Sequence, residues 1–202
     1  MKILLTGCCG FIGFNFVNSL VKTNKKIKIV GIDNLNNYYS VGLKKARLKI
    51  LLKSKNFTFQ KMDLENLKLL NGLFKKNKFD CIFHLAAQAG VRYSIKNPKK
   101  YIDSNIIGFF NIIELARKTN IKKIFYASSS SVYGDSKKFP LNEKTIINPK
   151  NTYGLTKKFN EELAEVYSNY YDINFVGLRF FTVYGEWGRP DMMILKYIEA
   201  SV

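Results

Sequence analysis

Short apolar runs alternate with longer stretches of helical periodicity along the whole chain. Runs rich in apolar and β-branched residues predict strands at residues 2–6, 28–32, 57–60, 81–85, 123–128 and 174–179. The stretches between them repeat apolar residues every three or four positions, which predicts helices at 11–23, 43–53, 64–76, about 98–119, and 152–171. This strict alternation is typical of βαβ units, so we predict an α/β fold built on a doubly wound parallel sheet.

Composition narrows the class of protein. With 202 residues, 47% of them hydrophobic, the chain can close one sizeable core. No apolar run approaches the roughly 20 residues needed to span a bilayer, and the N-terminal MKILLTG is too short for a signal peptide. We therefore expect a cytoplasmic protein that does not interact with membranes.

Charge and cysteine content exclude further classes. Lys and Arg number 33 against 15 Asp and Glu, a net charge of +18, but the lysines are scattered along the chain. Without a basic face interleaved with aromatic residues or a known nucleic-acid motif, we expect no nucleic-acid partner. The three cysteines, Cys8, Cys9 and Cys81, lack zinc-site spacing and read as reduced thiols, so no metal site is predicted.

A glycine-rich turn, TGCCGFIG, directly follows the first predicted strand and opens the first helix. Gly7, Gly10 and Gly13 permit a tight turn, close approach of the backbone to a pyrophosphate, and packing of helix against strand. Asp33 ends the second predicted strand, where a carboxylate can bond an adenosine ribose and repel a 2′-phosphate. Together these features predict a dinucleotide site that favours NAD over NADP.

Two further segments follow strands on the same predicted edge of the sheet. Asp63, after the third strand, is placed to contact an adenine amino group, and HLAAQAGVR offers small residues after the fourth. His84, the only histidine, lies within a strand and has no second metal ligand or evident acid partner, so we expect a packed core residue.

Possible catalytic groups occur in the second half of the chain. ASSSSVYG ends the fifth predicted strand, and NTYGLTKKF begins the helix behind it, with Tyr153 and Lys157 one turn apart on one face. A free phenol has a pKa of about 10 and is a poor base at neutral pH. A nearby ammonium and the positive end of the helix dipole can stabilise the phenolate.

TGCCGFIG, Asp33, HLAAQAG, ASSSSVYG and the Tyr153/Lys157 pair together resemble the extended short-chain dehydrogenase/reductases, the NAD-dependent epimerase/dehydratases. DNLNNYYSVGLKKARL, LAAQAGVRYSI and above all LRFFTVYGEWGRPDM resemble the UDP-glucuronate 4-epimerase branch. The resemblance implies Ser129, Tyr153 and Lys157 as the catalytic residues, with Ser128 and Ser130 open as alternatives to Ser129. It implies NAD contacts from Gly7, Gly10, Phe11, Ile12, Gly13, Asp33, Asn34, Asp63, Leu64, Leu85, Ala86, Ala87, Gln88, Asn105, Ser128, Tyr153, Lys157 and Phe180, and sugar contacts from Arg92, Ser129, Ser130, Thr182 and Arg189.

The resemblance implies an isomerase that binds a UDP-sugar, with a homodimer as a possible assembly. Tyr153 would take the proton of the sugar's 4-hydroxyl while a hydride leaves carbon 4, and return of the hydride to the opposite face would invert that centre. UDP-glucuronate would thereby become UDP-galacturonate, a step expected in polysaccharide biosynthesis. A 4-keto uronic acid loses carbon dioxide readily, so its carboxylate must be held, and Arg189 and Arg92 are the candidates.

Several alternatives stay open at this point. A UDP-glucose 4-epimerase shares the catalytic residues, but GRPDM disfavours it, as does Thr182 where those enzymes usually carry asparagine. A UDP-glucuronate decarboxylase begins with the same oxidation. A 4,6-dehydratase is disfavoured, because it needs an Asp-Glu pair at the positions that Ser130 and Ser131 occupy.

The end of the chain also differs from the family pattern. We predict an NAD-binding domain over residues 1–180, and the start of an incomplete substrate-binding region over 181–202. The chain stops within a predicted helix, so we expect a fragment or a shortened relative, and a truncated NAD-binding protein with little activity is a further alternative.

Overall fold

Six parallel strands form a single sheet in the computed structural model, which describes residues 1–192, 197, 200 and 201. The strands are β1 Lys2–Thr6, β2 Lys28–Asp33, β3 Phe57–Lys61, β4 Cys81–His84, β5 Lys123–Ser129 and β6 Asn174–Phe180. Their order across the sheet is β3-β2-β1-β4-β5-β6, with every neighbouring pair parallel. The predicted doubly wound α/β fold is confirmed, and its order reverses between β1 and β4, where such sheets bind ligands.

The helices are α1 Phe11–Thr23, α2 Val41–Leu51, α3 Leu67–Lys76, α4 Val91–Lys96, α5 Pro98–Tyr101, α6 Gly108–Lys118 and α7 Thr152–Tyr171. Capping side chains explain two shifts from the predicted boundaries. The Ser40 hydroxyl accepts from Leu43 N–H and starts α2 two residues early, while the Asn66 amide accepts from Leu69 N–H and starts α3 three residues late.

The predicted helix at 98–119 is composite. A π-helical segment, Ile102–Ile107, joins α5 to α6, and the short helix α4 precedes them without having been predicted. The wide π turn carries Asn105, whose buried amide bonds the backbone of Gln88 beyond β4. Such turns are frequent at functional sites.

Hydrophobic cores lie on both faces of the sheet because successive strand residues point to opposite sides. In β1, Leu4 packs on one face with residues of α3 and α6, and Ile3 and Leu5 pack on the other with residues of α1. The helix predicted near the end of the chain falls largely outside the described residues. No described helix combines the length and apolar character needed to cross a membrane.

Candidate active site

A cavity at the carboxyl ends of β1, β2, β4 and β5 brings together most of the residues singled out from the sequence. Its walls include Gly7, Gly10, Phe11, Ile12, Gly13, Asp33, Asn34, Asp63, Leu64, Leu85, Ala86, Ala87, Gln88, Ser128, Ser129, Tyr153, Lys157, Phe180 and Arg189. Asn105, Arg92, Ser130 and Thr182 are not among the lining residues. The structure thus gathers elements from both halves of the chain around one opening.

The glycine turn is built for close packing. Gly7 has φ +74°, in the left-handed region, and its N–H donates to Ile32 O at 2.8 Å. A Cβ at Gly13 would lie 2.2 Å from Gly7 O, so the start of α1 can approach the turn only with glycine there. Gly10 caps α1 without a side-chain hydrogen bond, which leaves the first helical N–H groups free for an anion.

Two carboxylates stand beside this turn. Asp33 accepts from Cys9 N–H at 3.0 Å through one oxygen and from Leu35 N–H at 2.9 Å through the other. Asp63 accepts from the Asn34 side chain at 3.2 Å. These bonds fix both side chains, and each carboxylate oxygen keeps lone-pair capacity for further hydroxyl or amino donors. The glycine turn, the free helix terminus and Asp33 fit the adenosine diphosphate half of NAD.

Asn105 acts from behind the cavity wall. Its amide oxygen accepts from Gln88 N–H at 2.7 Å, and its amide nitrogen donates to Gln88 O and to the Thr156 hydroxyl, both at 3.0 Å. The side chain therefore ties the loop after β4 to helix α7. The structure assigns it a supporting position, whereas the sequence placed it in direct contact with the dinucleotide.

His84 is buried, as predicted for a core residue. Its Nδ1 lies 3.1 Å from the Thr6 hydroxyl, and its ring packs edge-on against Phe109. Burial, aided by the nearby positive charge of Lys157, lowers the pKa of His84 to about 3. The imidazole is therefore neutral at physiological pH.

Tyr153 and Lys157 are held on α7 against the end of β5. Asn151 caps the helix by accepting from Gly154 N–H at 2.8 Å, and a Cβ at Gly154 would lie 2.5 Å from Ser131 O. This glycine allows the helix to pack directly on the serine loop. Lys157 is almost completely buried, and its ammonium donates to Ala127 O at 2.8 Å.

The electrostatics of the pair follow from this burial. Burial lowers the pKa of Lys157 to about 8, and nearby Glu161 partly opposes the change. Burial raises the pKa of Tyr153, while the neighbouring Ser129 side chain and the positive charge of Arg189 act in the opposite direction. Groups that stabilise the phenolate are therefore already in place around the phenol.

The serine run divides into separate tasks. Ser128 donates to Glu161, whereas Ser129 accepts from Ser131 N–H at 3.2 Å and lies beside Tyr153, where it lowers the pKa of the phenol against the effect of burial. Ser130 begins a 3₁₀ turn, Ser130–Tyr133, beyond the cavity wall. Of the two serines that line the cavity with Tyr153, Ser129 is the one that favours the ionised phenol.

Sequence reasoning missed a polar network behind the serines. Glu161, one turn beyond Lys157 on α7, accepts from Arg179 Nε at 2.9 Å and from Arg179 Nη2 at 2.8 Å. Arg179 also donates to the Tyr133 hydroxyl at 3.1 Å. The four-residue spacing from Lys157 to Glu161 was visible in the sequence, but its partner on β6 was not.

The loop after β6 places Arg189 at the cavity, already paired. Arg189 Nε donates to Asp191 at 2.9 Å, Nη2 forms a second bond to it, and Tyr38 donates to Asp191 at 3.1 Å. Burial and Asp191 raise the pKa of Tyr38 to about 12. None of the described contacts uses Arg189 Nη1. Arg92, on α4, and Thr182 are exposed.

The loop between β2 and α2 and the first turn of α2 supply lining residues that the sequence did not single out, namely Asn36, Tyr38, Tyr39 and, on the helix, Lys44. Lys44 is buried and donates to Asn36 O at 2.8 Å and to its side-chain oxygen at 2.7 Å. The signal available was a cluster of Asn and Tyr directly after Asp33. Lysine on a helix is ordinarily assigned to the surface, so Lys44 gave no signal of its own.

Comparisons with known proteins find relatives along nearly the whole chain. The chain is 50% identical over 203 residues to Protein CapI of Staphylococcus aureus, and 45% identical over 194 residues to UDP-glucuronate 4-epimerase 4 of Arabidopsis thaliana. These alignments cover 100% and 95% of this chain, but 60% and 44% of the two relatives. The chain therefore spans about half to three-fifths of the length of such relatives.

Solved structures show the same fold. The UDP-glucuronic acid 4-epimerase of Bacillus cereus, in complex with UDP-glucuronic acid and NAD, superposes with a TM-score of 0.90 at 36% identity, over 100% of this chain and 63% of that one. A UDP-glucose 4-epimerase of Thermotoga maritima with UDP-glucose gives 0.81 at 30% identity, over 92% and 57%. The model of the NAD dependent epimerase/dehydratase family matches residues 3–201. Since that match spans nearly the whole sequence, the chain belongs to the NAD dependent epimerase/dehydratase family.

Proposed function

We propose that the protein carrying this chain is an NAD-dependent isomerase that epimerises a UDP-sugar at carbon 4, with UDP-glucuronate and UDP-galacturonate as the substrate pair. One observation carries the proposal: the glycine turn with Asp33 and the Ser129, Tyr153 and Lys157 cluster line the same cavity. The similarity to UDP-glucuronate 4-epimerases supports this choice of sugar. The cytoplasmic location, the homodimer and the division at residue 180 stay predictions.

The dinucleotide would be held at its adenosine end by the glycine turn, Asp33 and Asp63. Its nicotinamide, when bound, would accept a hydride from carbon 4 of the sugar and later return it. The Asp33 carboxylate repels a 2′-phosphate, which favours NAD over NADP. The cavity therefore joins a cofactor half on β1 and β2 to a reactive half on β5 and α7.

Proton transfer would belong to Tyr153. Its phenolate removes the proton of the sugar's 4-hydroxyl as that carbon becomes a ketone, and returns the proton when the alcohol re-forms. Ser129 would bond the same sugar oxygen and the phenol, and Lys157 would support the negative charge. The ketone must present its other face before it is reduced, because return to the same face would only regenerate the starting sugar.

The carboxylate at carbon 6 of a uronic acid substrate would need a cation in the site that binds it and takes no part in the reaction. Arg189 lies at the cavity and carries a fork suited to a carboxylate, but Asp191 occupies one side of that fork. A substrate carboxylate would bind Nη1 or replace Asp191. In both cases Asp191 opposes its binding by charge repulsion, and removal of that charge should favour the uronic acid.

The deciding experiment is to incubate an active preparation with UDP-glucuronate and to identify the nucleotide-sugar product by chromatography and mass. UDP-galacturonate without carbon dioxide release supports the proposal. A UDP-pentose with stoichiometric carbon dioxide would identify a decarboxylase instead. Turnover of UDP-glucose alone would identify a UDP-glucose 4-epimerase.

Two variants test the role of Arg189 in sugar choice. Truncating one partner of a desolvated charge pair costs about 2–5 kcal/mol, so Arg189→Ala should reduce kcat/KM on UDP-glucuronate by tens to thousands of fold and leave UDP-glucose far less affected. Some decarboxylated product should escape. Asp191→Asn, matched in size, should lower the KM for UDP-glucuronate. Equal losses on both sugars in Arg189→Ala would assign this arginine to the diphosphate or to loop support.

A further inference from the structure

Arg47 on α2 is a fully buried cation without a buried anion beside it. Its relative exposure is 0%, and none of the described residues places a carboxylate within 4.0 Å of its guanidinium. Burying a guanidinium among neutral groups is costly unless those groups satisfy its donors. The positions of its hydrogen-bond acceptors therefore indicate which segments of the chain this side chain holds together.

These acceptors belong to different parts of the chain. Nη1 donates to Cys9 O at 3.0 Å, in the glycine turn, and to the Tyr39 hydroxyl at 2.7 Å, in the loop before α2. Nη2 donates to Trp187 O and, at 3.2 Å, to Gly188 O, in the loop after β6. One planar group thus joins the glycine turn to a segment nearly 180 residues away in sequence.

The second segment is the one that carries Arg189, and it has other anchors on α1. The Asn15 amide donates to Glu186 O at 3.1 Å, and the Trp187 ring lies 5.4 Å from the ring of Phe14. Trp187 has φ +61°, an uncommon conformation for a non-glycine residue, which surrounding contacts must maintain. We call residues 185–191 the GEWGRPD loop.

We infer that Arg47 is a positioning residue that holds the GEWGRPD loop in register with the glycine turn, so that occupancy of the turn and the position of Arg189 are coupled. The bonds to Cys9 O and to the loop carbonyls originate from one rigid fork, so a shift of the turn is transmitted to the loop. Lysine cannot reproduce this because its ammonium lacks the planar, two-sided donor geometry. The coupling, though not the holding of the loop, rests on the proposed dinucleotide site.

The chain contains its own reporter for this inference. Trp187 is the only tryptophan, and Arg47 bonds its carbonyl. Excited at 295 nm, the folded chain should show Trp187 emission that is partly protected from acrylamide. Arg47→Met should shift the emission to longer wavelength and increase quenching. Each charge-assisted hydrogen bond that is lost should shift the equilibrium between a held and a released GEWGRPD loop by about tenfold or more. Arg47→Lys should do the same to a smaller extent.

A matched control is Arg117→Met. Arg117 lies on α6, bonds Glu114 at 2.9 Å and does not line the cavity. The substitution Arg117→Met makes the same chemical change elsewhere in the fold, and it should leave Trp187 emission and quenching unchanged. Equal quenching in Arg47→Met and the unaltered chain would overturn the inference.

Coupling is tested with ADP-ribose, which fills the adenosine diphosphate half without a nicotinamide ring that would itself quench tryptophan. Binding of ADP-ribose is measured by calorimetry. The bound ligand should reduce acrylamide quenching of Trp187 in the unaltered chain and in Arg117→Met. In Arg47→Met the ligand should still bind, but the change at Trp187 should be lost. An unchanged response in Arg47→Met, or no response in the unaltered chain despite measurable binding, would overturn the coupling.

Two outcomes need a second variant or a separate interpretation. If Arg47→Met does not fold, Asn15→Ala removes an independent anchor of the same loop and should raise quenching in the same direction; protection equal to that of the unaltered chain would then count against a held loop. If ADP-ribose gives no heat with the unaltered chain, the dinucleotide site is wrong, and quenching in Arg47→Met without ligand still decides whether Arg47 holds the loop.

Discussion

The phenol of Tyr153, the proposed base, is subject to opposing influences on its pKa. Burial raises its pKa, and the neighbouring Ser129 side chain and the charge of Arg189 partly oppose that rise. A base must lose its proton near the working pH to act. In the proposed reaction, Ser129 would therefore favour the ionised phenol in addition to binding a sugar oxygen, and this distinguishes it from the other serines of residues 128–131.

Ser129→Ala should reduce turnover and move the acidic limb of the pH–rate profile to higher pH, because the phenol loses a bond that favours its ionised form. Ser130→Ala is the matched control and should leave the limb where it is, whatever its effect on KM. The measurement is kcat/KM against pH in an active preparation. A limb that moves only in Ser130→Ala would transfer the catalytic role to that serine.

The effect of His84 on the pH dependence of stability can be assigned to a single residue, since it is the only histidine of the chain. Its pKa is about 3 in the folded chain and near 6.5 in an unfolded one, so between these values the unfolded state binds the extra proton. Stability is therefore lost as pH falls below 6.5, with a slope from this residue approaching about 1.4 kcal/mol per pH unit.

We expect the urea midpoint to fall between pH 7.5 and 5.5, and His84→Gln to flatten that fall, because glutamine can bond the Thr6 hydroxyl and does not titrate. The range above pH 5 is chosen because ordinary carboxylates have not yet been protonated there. An equal decline in both proteins would show that other groups control the pH dependence.

At the scale of elements, the packing of α7 on the serine loop determines where Tyr153 lies. Gly154 stands next to Tyr153, and its missing side chain permits the approach to Ser131 O. Helical glycine ordinarily costs about 0.5–1 kcal/mol relative to alanine, so its presence here reflects contact, not propensity. The helix can approach the loop this closely only because the position lacks a Cβ.

Gly154→Ala should lower the free energy of unfolding by about 1–3 kcal/mol, the usual cost of overpacking, and should reduce turnover by displacing Tyr153 from Ser129. Gly72→Ala is the matched control: Gly72 lies on α3, and a Cβ added there would meet nothing within 4 Å. That substitution should be neutral or stabilising. Urea unfolding of both variants makes the comparison, and equal stability would remove the packing argument.

Helix α2 is unusual because it buries basic side chains. The buried side of α2 is formed by Lys44, Arg47 and Leu51, so a basic helix turns two of its cations inward. Both donate to neutral oxygens in the loops around the cavity. Since α2 begins just after the Asn and Tyr cluster that follows Asp33, it links the adenosine side of the cavity to the GEWGRPD loop.

On the scale of the whole molecule, local signals predicted the part of the site that depends on local backbone. Glycines before a helix, Asp33 after a strand and the Tyr153/Lys157 spacing need only the βαβ unit around them to be placed. Arg47 and Glu161 could not be found this way, because their burial depends on partners contributed by distant segments. A charged residue at a helical position reads as solvent-facing until its tertiary acceptors are known.

The last prediction concerns the described cavity as a unit. Every residue assigned to the adenosine half of the dinucleotide lies in β2, α1 or the loops that follow β1, β2 and β3, all within the matched family region. We therefore expect the 202-residue chain to bind NAD in calorimetry, and to bind NADP more weakly because Asp33 repels the added phosphate.

Asp33→Asn keeps the shape of the side chain and removes the negative charge, and its one amide oxygen can keep only one of the two bonds from backbone N–H groups. It should narrow the difference between the two affinities, mainly by tightening NADP. Asp80→Asn, at the opposite end of the sheet where Asp80 accepts from Lys2 N–H, is the charge-matched control and should leave the ratio unchanged. Equal affinities for NAD and NADP in the unaltered chain would contradict the role given to Asp33. A narrowed ratio in both variants would attribute cofactor preference to the net charge of the molecule, because the two substitutions change that charge equally and only one of them lies in the cavity.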